Sequence, residues 1–211
     1  LYENLDDTPC ALETQIDPRI DSRTVTVCAK DFPGLFSKIA GVFTLNNMDI
    51  LSAQIYTWRN HIALDVFQVK PPADRLREKE IWEWVDNDLR AVLNEDFDLF
   101  AALEKKIEVY QTAPQKVPRE ADNIVFDNRT SDFFSIIEVY THDFPGLLYK
   151  ITNALFQCGL DICFAKIGTN ADQVVDVFYV RDFEGQKIDD PDQISVIKAF
   201  IKGILVTGQP S

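Results

Sequence analysis

Two five-residue stretches carry the residue types best suited to chemistry. They are Asp31-Phe32-Pro33-Gly34-Leu35 and, 112 positions on, Asp143-Phe144-Pro145-Gly146-Leu147. In each, an acid stands three residues before a glycine, and apolar residues at helical spacing follow. The start of a helix offers backbone N–H groups with no intrahelical acceptor and the positive end of the helix dipole, a seat for an anion. Glycine there removes the Cβ that would hold a ligand away, and the acid can hold a cation. A second use of the same residues stays open. An acid just before a helix caps it, typically for ~1 kcal/mol, and Pro-Gly can simply shape the turn.

Other chemistry is poorly provided for. His142-Asp143 spells a dipeptide found in metal-dependent hydrolases, but His61 is the only other histidine and a metal centre needs several more ligands. Cys10, Cys28, Cys158 and Cys163 match neither a metal knuckle nor a disulfide scaffold and read as scattered reduced thiols. No nucleophile–base pair or phosphate-binding loop stands out, so catalytic and metal residues are expected to be absent.

What positions the two turns is a duplication. Lys38-Ile39 returns as Lys150-Ile151 and Asp49-Ile50 as Asp161-Ile162, while Asp65-Val66-Phe67 returns as Asp176-Val177-Phe178 at an offset one shorter. A one-residue slip between strands is what a hairpin turn tolerates, and a repeat of this length is one domain written twice. In the first copy, alternation predicts a strand from Thr24 to Lys30. Pro33 suits the first helical position, Leu35, Phe36, Ile39, Val42 and Phe43 make a helix face, and Asn46-Asn47 ends it. Strands are expected over 49–58 and 61–69, joined at Arg59-Asn60. A helical insertion follows over about 75–108, with Ile81, Val85, Leu89 and Leu93 as one stripe, Phe100, Leu103 and Ile107 as another, and a break at Asp96. The second copy reads strand 134–141, helix 145–157, strands 161–169 and 174–181, and a last helix capped by Asp190.

Each copy reads βαββα. Ile124-Val125-Phe126 could close the first, whereas the closing strand of the second is not found. The economical fold is α+β: two ferredoxin-like βαββαβ layers, each an antiparallel sheet with helices on one face. The expected division is a leader at 1–23, a first domain at 24–128 with a linker at 110–121, and a second domain at 129–211. Each sheet would end on an exposed edge, which proteins rarely leave open, so side-by-side pairing of the two sheets is expected, within a chain or between two.

Among 211 residues, 46% hydrophobic and 26% charged, the net charge is -13. Such acidity argues against nucleic acid, whose binding needs clustered Lys and Arg. No apolar run approaches the roughly 20 residues that cross a bilayer, so no membrane partner and a cytoplasmic location are expected. Met48 is the only methionine, so the chain is expected to be part of a longer protein.

The doubled Asp-x-Pro-Gly-Leu at a strand–helix turn resembles tandem ACT domains, the small-molecule sensing modules of amino-acid metabolism. Ser52–Thr57 with Ala63–Phe67, Phe134–Leu147 and Val175–Val180 resemble, more closely, the C-terminal ACT pair of the bacterial PII uridylyltransferase/uridylyl-removing enzymes. The resemblance covers about residues 24–205. It implies a regulatory module without its catalyst: upstream catalytic domains that use a divalent metal, the PII signalling protein as their partner, and glutamine or another small amino acid as effector. No cofactor is implied for this stretch itself. In ACT domains another unit's loop between first helix and second strand completes the pocket. The resemblance thus implies one pocket joining Asp31, Phe32, Pro33, Gly34 and Leu35 to Asp161 and Ile162. A mirror pocket would join Asp143, Phe144, Pro145, Gly146 and Leu147 to Asp49 and Ile50. Asp49 and Asp161 could equally start strands and point into water. A ligand-free module that pairs only for assembly is the alternative.

Overall fold

The computed structural model describes residues 8–17, 21–58, 61–111, 122–144, 146–170 and 173–207, with Leu5 and Arg19. The first half runs β1 (Cys10–Asp17), β2 (Ser22–Lys30), α1 (Leu35–Leu45), β3 (Ile50–Thr57), β4 (Ile62–Val69), α2 (Glu78–Leu93) and α3 (Leu99–Gln111). The second runs β5 (Asn123–Asp127), β6 (Ser135–His142), α4 (Leu147–Gln157), β7 (Leu160–Lys166), β8 (Thr169–Asn170), β9 (Gln173–Asp182) and α5 (Pro191–Thr207). All pairings are antiparallel, in the order β1-β2-β4-β3-β7-β9-β6-β5, with the two-residue β8 beside β9.

That order is α+β and ferredoxin-like twice over, with one change of connectivity. The place beside the first strand, normally taken by a sixth element, is filled in each half by the segment that comes before. β1 lies on β2, with Leu12 opposite Val27 and Thr14 opposite Val25. β5 lies on β6, with Ile124 opposite Val139 and Phe126 opposite Ile137. Two expectations are therefore corrected. Ile124–Phe126 closes the second unit rather than the first, and residues 10–17 of the supposed leader are the closing strand of the first. The reason is reach: β5 precedes β6 by a short connection, whereas β2 is already covered by β1. The expected linker lies, beyond Gln111, outside the described residues.

The two sheets join through β3 and β7, as expected of exposed edges, and they do so within one chain. Ser52 faces Lys166, Ala53 faces Ala165 and Gln54 faces Phe164. Ala53 and Ala165 are counterparts in the repeat, so the seam has a pseudo-two-fold axis between them, the self-complementary pairing of an isologous contact. Both alanines are fully buried.

Every second residue of the central strands feeds one core. Val25, Val27, Ala29, Phe67 and Val69 meet Ile39, Val42 and Phe43 of α1, while Val139, Phe178 and Val180 meet Ile151 and Leu155 of α4. Phe43 packs edge-on against Phe67 at 5.2 Å between centroids. Val85, Leu89 and Val92 bury the inner face of α2. On α3 the buried stripe is Leu99, Leu103 and Ile107, and Phe100, expected inside, is exposed. Helix start decides this: Asp98 Oδ1 accepts the Ala101 N–H at 3.0 Å, so the first turn fixes Leu99 inward. Of the tryptophans two apart on α2, Trp82 packs on Phe43 at 6.4 Å and Trp84 lies exposed under Arg77.

Candidate functional site

The two repeated turns share one backbone solution. α1 and α4 begin at Leu35 and Leu147, and the capping residue before each is glycine in the left-handed region, φ +90° at Gly34 and +83° at Gly146. Side chains other than glycine reach that region only with strain, which explains both glycines. Pro33 therefore sits in the turn and not at the first helical position; Pro145 lies outside the described residues. No side chain caps either helix. The N-cap position itself is glycine in both turns, three residues after Asp31 and Asp143.

The fold brings each turn against the opposite unit's loop between first helix and second strand. Asp143, Phe144, Gly146 and Leu147 share a cavity of ≈ 540 Å³ with Asp49 and Ile50. Its walls also hold Thr44 and Asn47 at the end of α1, Lys70 after β4, Lys106 of α3, and Val174 and Asp176 of β9. This volume lies in the range of small-molecule sites, about 300–1,000 Å³. Asp31, Phe32, Gly34 and Leu35 likewise meet Asp161 and Ile162, with Asp65 beneath, but the space between them is only ≈ 20 Å³. Pro33 lines neither.

The larger cavity is lined by charges of both signs. Asp49, Asp143 and Asp176 supply acid. Although Asp143 is exposed overall, crowding by protein raises its carboxyl above the ordinary range, the Asp49 charge adds to this, and Lys70 and the Phe144 N–H oppose it. Asp176 is almost wholly buried, and burial pushes it up to about 7. The Gly168 N–H, which its Oδ1 accepts at 3.3 Å, pulls the other way, and Asp143 pushes it up. Lys106 and Lys70 supply the cations. Lys106 Nζ donates to Leu45 O and to Asn47 Oδ1, both at 2.7 Å, and burial lowers its pKa. Lys70 Nζ meets Asp49 Oδ2 at 3.1 Å at the exposed rim. Gly146, at the N-terminus of α4, lines the same cavity. Such an arrangement is complementary to a small zwitterion, and it contains no nucleophile–base pair.

In the smaller space Asp65 is buried with Oδ1 lacking a hydrogen-bond partner. Burial raises it well above the ordinary range, Asp31 and Asp161 add to this, and the Tyr56 N–H opposes them. Asp161 is raised by crowding and then by Asp31. Asp65, Asp176, Lys70 and Lys106 were not among the residues singled out from the sequence. The signal for the two aspartates was present: an acid repeated in mid-strand, flanked by Val and Phe, inside an apolar alternation. Nothing local marked the lysines, which reach the cavity from the end of β4 and from α3. His142 ends β6, and among the described residues no group of three His, Cys, Asp or Glu could hold a metal ion. The four cysteines are unbridged, and no described helix is long and apolar enough to cross a membrane.

Residues 123–207 match the family described as an ACR9-like, ACT-like domain. The match begins at β5, in keeping with that strand's place in the second unit. The chain is 33% identical over 201 residues to the bifunctional uridylyltransferase/uridylyl-removing enzyme of Azospirillum brasilense, covering 92% of this chain and 21% of that protein. It is 35% identical over 185 residues to that of Rhodospirillum rubrum, covering 84% and 19%, and 30% identical over 212 residues to that of Cereibacter sphaeroides, covering 99% and 22%. This chain thus spans about a fifth of the length of these relatives. Among solved structures, one titled a putative glycine cleavage system transcriptional repressor aligns over 86% of this chain and 90% of its own at 13% identity with a TM-score of 0.28, a likeness on which nothing rests. Residues 123–207 thus match an ACT-like domain, and along nearly its whole length the chain is homologous to about a fifth of the bifunctional uridylyltransferase/uridylyl-removing enzymes.

Proposed function

We propose that this chain is the amino-acid-sensing part of a uridylyltransferase/uridylyl-removing enzyme. Glutamine, the effector the resemblance implies, binds in the cavity between the turn at 143–147 and the loop at 49–50. The two units are taken as residues 10–111 and 123–207. The carrying observation is that one cavity of ≈ 540 Å³ is walled by a helix start from one unit and an acidic loop from the other. A ligand there bridges the units, and a bridge can favour one arrangement of the pair over another. Signalling to catalytic domains needs such differential affinity, because a ligand that binds two arrangements equally shifts neither. The parent enzyme's action on the PII protein, with its divalent metal, belongs to that larger protein and is part of this reading.

Assembly without a ligand is the competing reading. It is favoured by the turn at 31–35, where the same motif packs against protein with almost no space left. Calorimetric titration with glutamine decides between them. Saturable heat is expected, falling at least about tenfold in affinity in Asp143→Ala, the scale of losing one charge-assisted contact. Silence at millimolar glutamine leaves assembly alone.

A further inference from the structure

The duplication would lead one to expect two equivalent ligand seats, and the geometry points to one. Resting on the reading that the cavity takes an amino acid, we propose that Phe156 permanently occupies the mirror seam. The chain then binds one amino acid, at Gly146 and not at Gly34. Two independent observations carry this.

The first is steric. Phe156 and Thr44 are counterparts, each in the last turn of its helix and each beside the other unit's glycine. A Cβ on Gly34 would stand 3.4 Å from three carbons of the Phe156 ring, so the ring lies flush on the turn. Phe183, 6.0 Å away between centroids, backs it. Thr44 instead turns its hydroxyl to Ala40 O at 2.9 Å, and its methyl lies 4.0 Å from where a Cβ on Gly146 would be; Ile107 of α3 stands nearer, its Cδ1 3.0 Å away, so both glycines are covered and the seams differ in the volume left beside them. The resulting volumes are ≈ 20 Å³ and ≈ 540 Å³. The smaller holds about one water-sized guest, not an amino acid.

The second is electrostatic. The open seam has Lys70 and Lys106 for a carboxylate. Among the described residues lining the closed seam the charged groups are Asp31, Asp65 and Asp161, all acids. The counterpart of Lys70, one residue past Val180 as Lys70 is past Val69, is Arg181. It is turned away: its guanidinium stacks 4.5 Å from the Phe134 centroid and its Nε donates to Phe133 O at 2.9 Å. Lys106, the open seam's other cation, comes from α3. A cation beside these lining residues, Lys38, is held over the Phe32 ring, its Nζ 5.0 Å from the centroid.

The test is an amide-shift titration of the whole chain with glutamine, run beside calorimetry. One equivalent per chain is expected, with shifts at Gly146, Leu147 and Leu148 and none at Gly34, Leu35 and Phe36. Thr44→Phe copies the plug into the open seam and is expected to weaken binding more than about tenfold, since a ring then fills the ligand's space. Two equivalents, shifts at both turns, or wild-type affinity in a folded Thr44→Phe chain would each overturn the proposal. Should that variant fail to fold, the wild-type shift map alone decides. Absence of heat and of shifts anywhere sinks the amino-acid reading itself, and is thereby distinct from a second occupied seat.

Discussion

Asp176 holds a carboxyl where an apolar side chain would cost less. Its folded pKa, about 7, lies above the ordinary 3.8, so between those values the folded chain keeps a proton that the unfolded chain has released. Its neighbours include the acids Asp143 and Asp49 and the cations Lys70 and Lys106. Stability on its account is intact below pH 3.8, falls as pH rises through this window, and above about pH 7 is lower by a constant amount. That amount is at most on the order of 4 kcal/mol. Asp176→Asn keeps an oxygen for the Gly168 N–H and removes the charge. The variant is expected to melt with the parent at pH 4 and several degrees above it at pH 8. Equal melting at both values would mean that the carboxyl is already compensated. Under the proposed function a ligand's ammonium offsets this cost at the open seam, whereas Asp65 carries the same kind of cost at the closed one with no ligand to offset it.

At the scale of elements, everything turns on β3 lying against β7. The loop before β3 carries Asp49, the loop before β7 carries Asp161, and only edge pairing swings each toward the other unit's helix start. Ala53 and Ala165 face one another across it, fully buried. Ala53→Arg places an unpaired charge there, a cost of roughly 3 kcal/mol or more. The expected result is loss of glutamine binding with the circular-dichroism spectrum largely kept, since each unit retains its own sheet. Gln54→Arg, one residue along on an exposed position, is expected to bind as the parent does. Spectroscopically intact Ala53→Arg that still binds would place the site elsewhere. Most of these elements were legible in the sequence. The 3.6-residue faces of α1, α4 and α5 and the alternating strands follow from local pattern, and the helix ends at Asn46 and Gly159 follow from turn chemistry. Of the closing strands, β5 was read as a strand at Ile124–Phe126 but given to the wrong unit, and β1 was not read at all, both being edges. Glu13, Gln15 and Ile16 are half-buried or exposed on β1, and the burial on β5 is shallow, so neither shows the apolar alternation of an inner strand. Connectivity is a further difficulty, since which neighbour a lone strand joins is set by the sheet it can reach and not by its own residues.

For the molecule as a whole, duplication supplied symmetry and later change removed it. The pseudo-dyad through Ala53 and Ala165 relates two turns, two loops and two buried aspartates. Broken against it are Phe156 for Thr44 and Arg181 turned outward where Lys70 faces the rim. The family resemblance implied both candidate seams; in the fold Asp143, Phe144, Gly146 and Leu147 line a cavity with Asp49 and Ile50, and Asp31, Phe32, Gly34 and Leu35 line a smaller one with Asp161 and Ile162. Their inequality was not visible. It depends on a ring against a backbone and on the reach of lysines from distant elements, contacts that spacing along a chain does not reveal. One arrangement of acids, lysines and helix start is left open to a guest, and it spans the seam along which the two halves meet.

The most direct trial of this claim is a crystal structure of the chain grown with saturating glutamine. The account predicts difference density between Asp49 and Asp143, its carboxylate within hydrogen-bonding reach of the amides at the start of α4 and its ammonium among the acids, with the turn at Gly34 still covered by Phe156. Glutamine seated anywhere else, or a cavity holding only solvent at saturation, would contradict it.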